Sequence, residues 1–550
     1  MLTLSCFLPG SSSAVTSIDK DSNLLPHLNP ENADCSIDYV GVEQIIITSD
    51  EDLMSFATAG SGTKEDPYMI KDYSVYGLGV TYGVIITNVT KHFTVEHCRI
   101  LSIYGLVIEN LPGVNINITN NIILQFGTFY QVDMLTCIRI INCNNIIISK
   151  NDIESNYRGI DISYASNVSI AENNINGRSD IDNLGIAFSG IALRKTMNCT
   201  ATNNVFNKGG FDLDLTYHQL QFLTISNNTM NGLEIGYFVN ASGTIITDPI
   251  FAQILLFNCS NIVVKNLNFL DIFRGIHCMF SSNCKFLNNT FNEGECGIKC
   301  SDSTNLILEK NLCDENYRGI EIKNCDTTDL IENKCSNTTR GEAIIVADST
   351  NVNIQKNICS LNIRGFGIYV KGENITIVNN ECNYNKEGIF LDSVQNCWVH
   401  NNTICYNGIG GGIVIFSGQE VVVCYNLLLE NEMFGVSLFP ECFDCLVHHN
   451  SFINNFVQPA SNGQAFDSGI GNFWYHPDSL VGNFWSDRGM KRKYAIDGSA
   501  GSYDLYPLKD PIVLPDEDYP LKTPFPYIIS FFSILIAVSI QRKTKFKPFS

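Results

Sequence analysis

Hydrophobic and polar positions alternate along most of the chain in short stretches that turn residues separate. The alternation has a period of two and uses many β-branched residues, which is typical of β-strands. Asn, Ser, Asp and Gly fill the breaks between the stretches, and no stretch has a long helical period. The pattern therefore predicts an all-β protein built from short strands and tight turns.

One motif recurs roughly every 22 to 24 residues. It reads Gly-Ile-x-φ, a polar turn, Asn-φ-x-φ-x-x-Asn-x-φ and a second polar turn, where φ is apolar. A single unit cannot bury its apolar face, so consecutive units must stack. The repeat predicts a single-stranded right-handed parallel β-helix over residues 83–457, with loops near residues 123–137, 176–190 and 207–253. Its copies begin at Gly83, Gly105, Gly159, Gly190, Gly275, Gly297, Gly319, Ala343, Gly367, Gly388, Gly412 and Gly435.

The second Asn of the motif predicts an asparagine ladder, because a stacked amide can bond its own turn and the Asn of the next coil. The ladder positions are Asn121, Asn151, Asn173, Asn204, Asn228, Asn289, Asn311, Asn333, Asn357, Asn380, Asn402, Asn426 and Asn450. The residue two positions further on points inward, and four consecutive coils place Cys313, Cys335, Cys359 and Cys382 there. We expect these cysteines to pack as small apolar residues, because Ile and Phe fill the same column elsewhere. Disulfides are the alternative, since coils lie about 4.8 Å apart.

Both ends of the sequence suggest membrane targeting. Residues 1–40 resemble the end of a signal peptide without its basic start, followed by a linker, and a segment that is not a signal peptide is the alternative. Residues 511–524 form a second linker, and the apolar run 525–541 precedes a basic tail at 542–550. This order predicts a transmembrane helix with a cytoplasmic tail and the β-helix outside the cell. A buried C-terminal helix is the alternative.

The chain has 35 Lys and Arg against 56 Asp and Glu, a formal charge of −21. Such an excess of negative charge argues against binding to nucleic acid or to anionic lipid surfaces. Apolar residues make up 45% of the sequence, which is enough for a packed core.

Two short segments frame the repeats. Residues 60–70 read Gly-Ser-Gly-Thr-Lys-Glu-Asp-Pro-Tyr-Met-Ile, and the far end has Gly-Asn-Phe-Trp-Ser-Asp at 482–487 and Tyr-Asp-Leu-Tyr-Pro-Leu at 503–508. Together with the repeats, they resemble archaeal and bacterial surface proteins with the NosD-like parallel β-helix domain. The resemblance implies an extracytoplasmic location and membership of the wider group of carbohydrate-binding proteins and sugar hydrolases. We expect caps at residues 41–82 and 458–510, with Phe473, Trp474, Phe484 and Trp485 covering the open end.

The resemblance also raises the question of a metal, because the founding member is linked to copper delivery. The local candidates are Cys442, His448 and His449. By register Cys445 points inward and His448 outward, so variable surface positions without a metal are the alternative. The sequence itself requires no cofactor.

The outward residue after each Gly-Ile forms a column along the helix, and neighbouring members lie about 4.8 Å apart. His277, Lys299 and Glu321 form an ionisable cluster in this column and are the candidate catalytic residues. The column continues into an aromatic stretch, and exposed aromatics beside acids commonly hold sugars. A loop covering this stretch is the alternative. The candidate ligand-binding residues are Asp161, Arg318, Tyr369 and Phe390.

Arg also recurs just before Gly-Ile, at Arg158, Arg274 and Arg318. Stacked guanidinium groups repel one another, so either interleaved Asp and Glu or an anionic polysaccharide must stabilise them.

Three functions remain open. The first is a membrane-anchored β-helix that binds carbohydrate or another surface polymer without catalysis. The second is a polysaccharide lyase or hydrolase, although the sequence lacks the characteristic blocks of polygalacturonases and mannuronan epimerases. The third is an extracytoplasmic metal-handling protein.

Overall fold

The computed structural model describes residues 39–77, 81–125, 135–178, 188–456, 463–489 and 491–512. Within them the chain winds into stacked coils that supply strands to three parallel sheets, so the predicted parallel β-helix is confirmed. The predicted signal peptide, transmembrane helix and basic tail lie outside these residues. No helix of the described residues is long and apolar enough to cross a membrane.

Sheet 1 contains the strands that carry the Gly-Ile of each repeat. Its strands are Ile45–Ile47, Tyr82–Thr87, Tyr104–Leu111, Thr136–Ser149, Arg158–Ser163, Ser189–Arg194, Phe211–Asp214, Leu233–Val239, Phe251–Phe257, Arg274–Met279, Cys296–Ser301, Arg318–Lys323, Ile344–Gln355, Phe366–Glu373, Glu387–Gln395, Gly411–Gln419, Val436–Phe443 and Ala465–Asp467.

Sheet 2 follows sheet 1 around each coil, and two long strands, Thr136–Ser149 and Ile344–Gln355, pair in both sheets. Its other strands are Tyr68–Lys71, Phe93–Glu96, Ile116–Thr119, Ser166–Ala171, Met197–Thr202, Leu223–Ser226, Ile245–Ile246, Val263–Lys265, Lys285–Leu287, Thr304–Glu309, Asp326–Ile331, Thr376–Val378, Trp398–His400, Val422–Cys424 and Leu446–His448.

Sheet 3 closes the coil and consists of the shortest strands. They are Val40–Val42, Tyr73–Tyr76, Arg99–Ser102, Ile122–Gln125, Asp152–Ser155, Asn174–Gly177, Val205–Phe206, Thr229–Met230, Asn268–Leu270, Thr290–Asn292, Thr403–Cys405, Leu427–Leu429, Ser451–Ile453 and Phe484–Trp485. Parallel pairing joins the first two of these strands. The segment predicted as the N-terminal cap, residues 41–82, thus already supplies strands to all three sheets.

Two short helices and two hairpins complete the described fold, and one of the hairpins joins Thr229–Met230 to Leu233–Val239. Asp50–Phe56 lies near the N-terminal end and buries Leu53 in the core, and the hydroxyl of Ser49 caps it by accepting from the Asp52 amide. Tyr217–Leu220 belongs to the predicted 207–253 insertion. Tyr494–Ala495 and Tyr503–Asp504 pair antiparallel near the C-terminal end.

The motif glycines are explained by close packing between coils. A Cβ atom on Gly388 would lie 2.6 Å from the carbonyl oxygen of Gly412, and one on Gly319 would lie 2.4 Å from that of Ala343. Side chains two positions after the ladder Asn, such as Ile404, would also clash with a Cβ atom at these glycines. The glycine of each repeat therefore makes room for the next coil.

The asparagine ladder is present as predicted. Asn380 donates from Nδ2 to Asn402 Oδ1 at 3.0 Å and to the Ile354 carbonyl at 2.8 Å, and its own Oδ1 accepts from the Asn357 amide at 2.8 Å. The same pattern extends the ladder by one rung, from Asn450 to Asn483. Every ladder amide is buried, so these bonds supply partners that water cannot.

A second asparagine ladder runs five residues after the first, and the sequence reading missed it. Its members are Asn362, Asn385, Asn407, Asn431 and Asn455, with Gln464 as the last rung. The signal was available, since five coils repeat Asn-x-x-x-x-Asn.

The cysteines pack in the interior as small apolar residues. Cys313, Cys335, Cys359 and Cys382 are fully buried and follow bridges that keep their coils in register. All 19 described cysteines are unpaired and buried.

Sheet 1 is interrupted between Phe211–Asp214 and Leu233–Val239. One side chain forms hydrogen bonds across this gap. Gln253 accepts from the Phe211 amide at 2.9 Å and donates to the carbonyls of Phe211 and Arg274 at 2.9 and 3.0 Å. Its amide group thus replaces a missing stretch of backbone.

The C-terminal end is closed by aromatic residues, as the sequence predicts for Trp474 and Trp485. Both indoles are buried, and Trp485 stacks between Phe452 at 4.1 Å and Tyr494 at 4.0 Å. Carboxylates of Asp467 and Asp504 accept from the two indole nitrogens at 2.9 and 2.8 Å. The predicted partners Phe473 and Phe484 are only half-buried.

Candidate functional site

The outer face of sheet 1 carries a depression. A groove of about 1330 Å³ runs over this face and over the turns that lead into it. Parallel, in-register pairing stacks His277, Lys299 and Glu321 on adjacent strands at the groove. Outward residues of the strands and side chains of the adjoining turns together line the groove.

The first half of the groove is lined by alternating charges. Asp161 lies between Arg158 and Arg194, with contacts of 3.2 and 2.5 Å. Asp212 continues the series, 2.8 Å from Arg194 and 2.5 Å from Arg274. Asp161, predicted as a ligand-binding residue, is almost fully buried by these contacts.

The second half continues the same alternation. Glu295 lies 3.5 Å from Arg274 and 3.1 Å from Arg318, and Arg318 lies 3.6 Å from Glu321 and 3.7 Å from Glu342. Interleaved acids, one of the two explanations left open for the Arg column, thus separate the guanidinium groups. We call this series, from Arg158 to Glu342, the charge zipper.

An aromatic residue precedes each Arg of the column and positions its guanidinium group. Arg158 lies 4.8 Å from the ring of Tyr157, and Arg318 lies 5.3 Å from that of Tyr317. Phe273 and Arg274 repeat the arrangement at 5.0 Å. These cation–π contacts hold each cation over its own turn.

The three predicted catalytic residues are neighbours, but two of them neutralise each other. Lys299 Nζ lies 2.8 Å from Glu321 Oε1. Burial opposes ionisation of Glu321, yet Lys299, Arg274 and Arg318 outweigh burial and lower its pKa. Burial, with help from Arg274 and Lys299, holds the pKa of His277 well below its ordinary value, so this imidazole is neutral.

Glu295 is a groove residue that the sequence reading did not single out. Burial raises the pKa of its carboxyl group although Arg274 and Arg318 act in the opposite direction. Asp212 and Arg194 were missed as well. Nothing in the repeat marks Arg194 or Glu295, because they lie at positions flanking the Gly-Ile column.

The groove leaves several buried polar atoms without a hydrogen-bond partner among the described residues. Donors and acceptors are both represented, although some of these atoms make longer ion-pair contacts. Buried polar atoms in native proteins are generally satisfied, so a concentration of exceptions calls for an explanation. The atoms are Nε of Arg158, Arg274 and Arg318, Nδ1 of His277, Oε2 of Glu295 and Oε2 of Glu321.

Further along the same face lies an aromatic strip, formed by Phe366, Tyr369, Phe390, Phe416, Phe439 and Phe466. Phe366 and Phe390 stack at 4.8 Å with an angle of 7°, so their faces cover each other. Phe439 is tilted by 45° against Phe416, which leaves ring faces open. Phe416 is 47% exposed and Phe439 36%.

The predicted ligand residues Tyr369 and Phe390 belong to this strip and are half-buried. The Tyr369 hydroxyl donates to Asp392 at 3.3 Å, and burial together with that carboxylate raises its pKa to about 12. The 207–253 insertion, considered as a cover, instead places Tyr217 against Phe257 and Phe280 at 5.2 and 5.4 Å.

The predicted metal residues lie on two different sides of the wall. Cys442 is inside the core and donates to the Ile415 carbonyl. His448 and His449 lie outside, with their Nδ1 atoms 2.6 Å apart, and the ring of His476 lies 5.0 Å from that of His448. Burial and the other two imidazoles lower the pKa of His448 to about 3.

Neutral imidazoles suit copper or zinc as ligands. The present spacing does not, because two nitrogens bound to one ion at about 2.0 Å must lie further apart than 2.6 Å. Accordingly, no group of three or more His, Cys, Asp or Glu in the described part of the chain has a metal-binding arrangement. The ligand type fits, and the geometry would require one ring to turn.

Two family models match the sequence. A model described as "Right handed beta helix region" matches residues 82–248, 185–334 and 235–362, which together make up just over half of the chain. A model described as "Periplasmic copper-binding protein (NosD)" matches residues 335–489. No curated protein matches the sequence significantly.

Solved structures similar to this chain have low identity and low TM-scores. The Dettilon tailspike protein gp208 is 13% identical with a TM-score of 0.32, and the alignment covers 72% of this chain and 64% of the tailspike. This chain therefore spans less than two thirds of the tailspike's length.

The periplasmic alginate epimerase AlgG is 12% identical with a TM-score of 0.30, covering 79% of this chain and 84% of the epimerase. PfbA, a surface adhesin of Streptococcus pneumoniae, is 13% identical with a TM-score of 0.22, covering 65% and 84%.

Proposed function

The chain belongs to the right-handed β-helix family, and from this premise we propose that it binds a carbohydrate or similar surface polymer along the outer face of sheet 1. The binding site combines the groove above the charge zipper with the aromatic strip. We further propose that the β-helix is extracytoplasmic, as the description of the NosD model suggests, and that residues 525–541 anchor it to a membrane.

The observation that carries the proposal is a set of six buried polar atoms at the groove that make no hydrogen bond with a described residue, four of them in ion-pair contacts of 3.5–3.7 Å. Guanidinium Nε–H groups can only donate, whereas carboxylate oxygens can only accept. A sugar hydroxyl does both, so a row of hydroxyls is the ligand chemistry that satisfies both kinds of atom together. Pairing these atoms would also remove the cost of leaving buried polar groups unsatisfied.

The aromatic strip supports the same class of ligand. Sugars offer apolar C–H faces as well as hydroxyls, and exposed apolar patches usually mark interaction surfaces. The open ring faces at Phe416 and Phe439 are suited to such contacts. Strip and groove lie on one sheet, so a single extended chain can reach both.

Binding without turnover fits the charges better than catalysis does. Glu321 is ionised and paired with Lys299, so it is a poor proton donor. His277 is almost fully buried, which limits its access to a substrate. A lyase or hydrolase therefore remains the alternative to be tested.

The test is a glycan array probed with the full-length protein, followed by reducing-sugar and unsaturated-product assays on every hit. We expect binding without product. Phe416→Ala should weaken binding roughly fivefold, because an aromatic contact of this kind is worth about 1 kcal/mol. Tyr76→Ala is the matched control, since Tyr76 is 43% exposed on sheet 3. An array without hits contradicts the proposal, and product formation replaces it with an enzyme.

A second candidate function is metal handling, which the three clustered imidazoles within the segment matched by the NosD model favour. Copper and zinc titrations followed by calorimetry test it. His448→Ala should abolish binding, whereas His400→Ala, two coils away in the same outward column, should not. Equal effects of the two substitutions contradict a site at His448.

A further inference from the structure

The corner between sheet 3 and sheet 1 carries exposed apolar side chains on neighbouring coils. Leu361, Tyr384 and Tyr406 follow the sheet 3 positions of three successive coils and are 40–50% exposed. Ile363 and Ile409 lie in the turns that lead on to sheet 1 and, at 72% and 73%, are the most exposed large apolar side chains of the described residues. We call these five residues the corner patch. Single exposed apolar residues are ordinary, whereas a group of them marks an interaction surface.

The backbone at the corner adopts a conformation that bulky residues disfavour. Leu361, Tyr384 and Tyr406 have φ angles of +66°, +57° and +57°, in the left-handed region where such residues are rare. The two tyrosine rings stack on each other at 5.0 Å with an angle of 12°. Exposed apolar side chains thus occupy three coils at a position that neither core packing nor backbone preference explains. The coils on either side have polar residues there, namely Glu293, Glu315, Asn337, Glu430 and Asn454.

The chain leaves the described part of the structure on the same side of the β-helix. Leu508 bridges to Phe484 in the last coil, and the Ile512 amide donates to the Ser451 hydroxyl on sheet 3 at 2.8 Å. Ser451 pairs with Phe484 from the preceding coil, so residues 508–512 run back over sheet 3 towards the coils of the corner patch. Those coils lie two to four positions before that of Ser451. The strand spacing of a sheet places them about 10–19 Å from it.

The corner patch lies within reach of the proposed membrane anchor. Residues 513–524 connect Ile512 to the apolar run 525–541. A segment of this length spans at most about 40 Å when it is extended, which exceeds the distance from Ser451 to the patch coils. The point where the anchor enters the lipid can therefore lie beside the patch.

Charged side chains of both signs border the corner patch. Arg364 and Lys386 lie in its turns, and Glu381, Glu387 and Glu430 lie beside it. Lys386 already pairs with Glu387 at 3.8 Å. A zwitterionic headgroup offers partners to side chains of either sign, whereas the formal charge of −21 opposes approach to an anionic surface.

We propose that the corner patch rests on the surface of a zwitterionic lipid bilayer, with Tyr384 and Tyr406 among the headgroups and Leu361, Ile363 and Ile409 against the upper acyl chains. Tyrosine favours this depth because its ring is apolar and its hydroxyl is polar. The β-helix then lies along the membrane instead of standing on its C-terminal end, and one edge of the sheet 1 face meets the lipid surface. This inference rests on the membrane anchor of the proposed function and adds the surface that orients the domain.

The experiment uses the full-length protein in phosphatidylcholine nanodiscs that contain a small fraction of the same lipid with a photoactivatable diazirine on its acyl chain. After illumination, peptide mass spectrometry locates the lipid adducts. We expect adducts on the corner patch as well as on residues 525–541. Tyr164 and Ile245 are internal controls, because both are more than half exposed and lie elsewhere on the coils. They should carry no adduct.

A charged variant tests the contact itself. The double variant Ile363→Glu, Ile409→Glu should lower the adducts on Tyr384 and Tyr406 by roughly fivefold or more, because a carboxylate in lipid is unfavourable. Adducts on residues 525–541 should stay unchanged. The matched control is the double variant Ile147→Glu, Ile245→Glu, which adds the same charge at exposed positions of sheet 2. It should be labelled like the unmodified protein.

The outcomes separate this inference from the proposed function. Adducts on residues 525–541 but not on the corner patch overturn the inference and leave the anchor in place. Equal labelling of Tyr164 and Tyr384 also overturns it, because the domain then has no preferred orientation on the lipid. A chain without any adduct removes the proposed anchor itself. The glycan array tests carbohydrate binding separately from all of these results.

Discussion

Asn380→Ala should weaken the β-helix far more than the loss of one exposed amide would. The substitution leaves the buried Asn357 amide without its acceptor and removes donors to the Ile354 carbonyl and to Asn402. Each unsatisfied buried group costs about 1–3 kcal/mol. We therefore expect a loss of roughly 3–5 kcal/mol, concentrated at the junction between two coils.

The assay combines chemical unfolding followed by circular dichroism with hydrogen exchange of the peptide around Asn357. Asn353→Ala is the control, since Asn353 makes one partly exposed bond of 3.2 Å to Asp329. The control should change stability by less than about 1 kcal/mol. If Asn380→Ala shifts the unfolding midpoint no more than the control, and exchange at Asn357 stays slow, the ladder does not hold the coils together.

Three further predictions follow from the packing and the charges. Ellman's reagent should react with at most Cys6 and Cys35 in the native protein and with all 21 thiols after unfolding, because the described thiols are buried and burial raises the pKa of most of them. Stability should fall as the pH drops below about 6.5, since burial lowers the pKa of His400 to about 4 and that of His448 to about 3. Below that pH each imidazole binds a proton in the unfolded state but not in the folded state, which lowers the free energy of unfolding by about 2 kcal/mol per group at pH 5. An unchanged thermal midpoint between pH 7 and pH 5 would contradict this. Gly388→Ala should cost roughly 1–3 kcal/mol through its clash with the Gly412 carbonyl, whereas a neutral effect on unfolding would show that the coils can move apart.

The fold could be predicted from the sequence because its determinants are local and periodic. Each coil repeats a glycine that admits its neighbour, an asparagine that bonds to it and apolar residues that face inward. The second ladder is periodic too, so the same pattern predicts it.

The site could be predicted only in part, because its geometry depends on residues far apart in the sequence. The column containing His277, Lys299 and Glu321 follows directly from the repeat. The contact of Asp212 with Arg274 does not, because it spans the interruption of sheet 1 that Gln253 bridges. No pattern within one coil reveals which chain segments meet across such a break.

The alternation of inward and outward residues has an evolutionary consequence. Core positions are constrained by the neighbouring coils, whereas the outward column changes from Glu321 to Ile345 to Tyr369 on strands that stay in register. Recognition can therefore diverge one coil at a time, by single substitutions that leave the scaffold untouched. A lineage could also lengthen or shorten its binding face by duplicating or deleting whole coils, since each new unit brings its own rung and its own glycine.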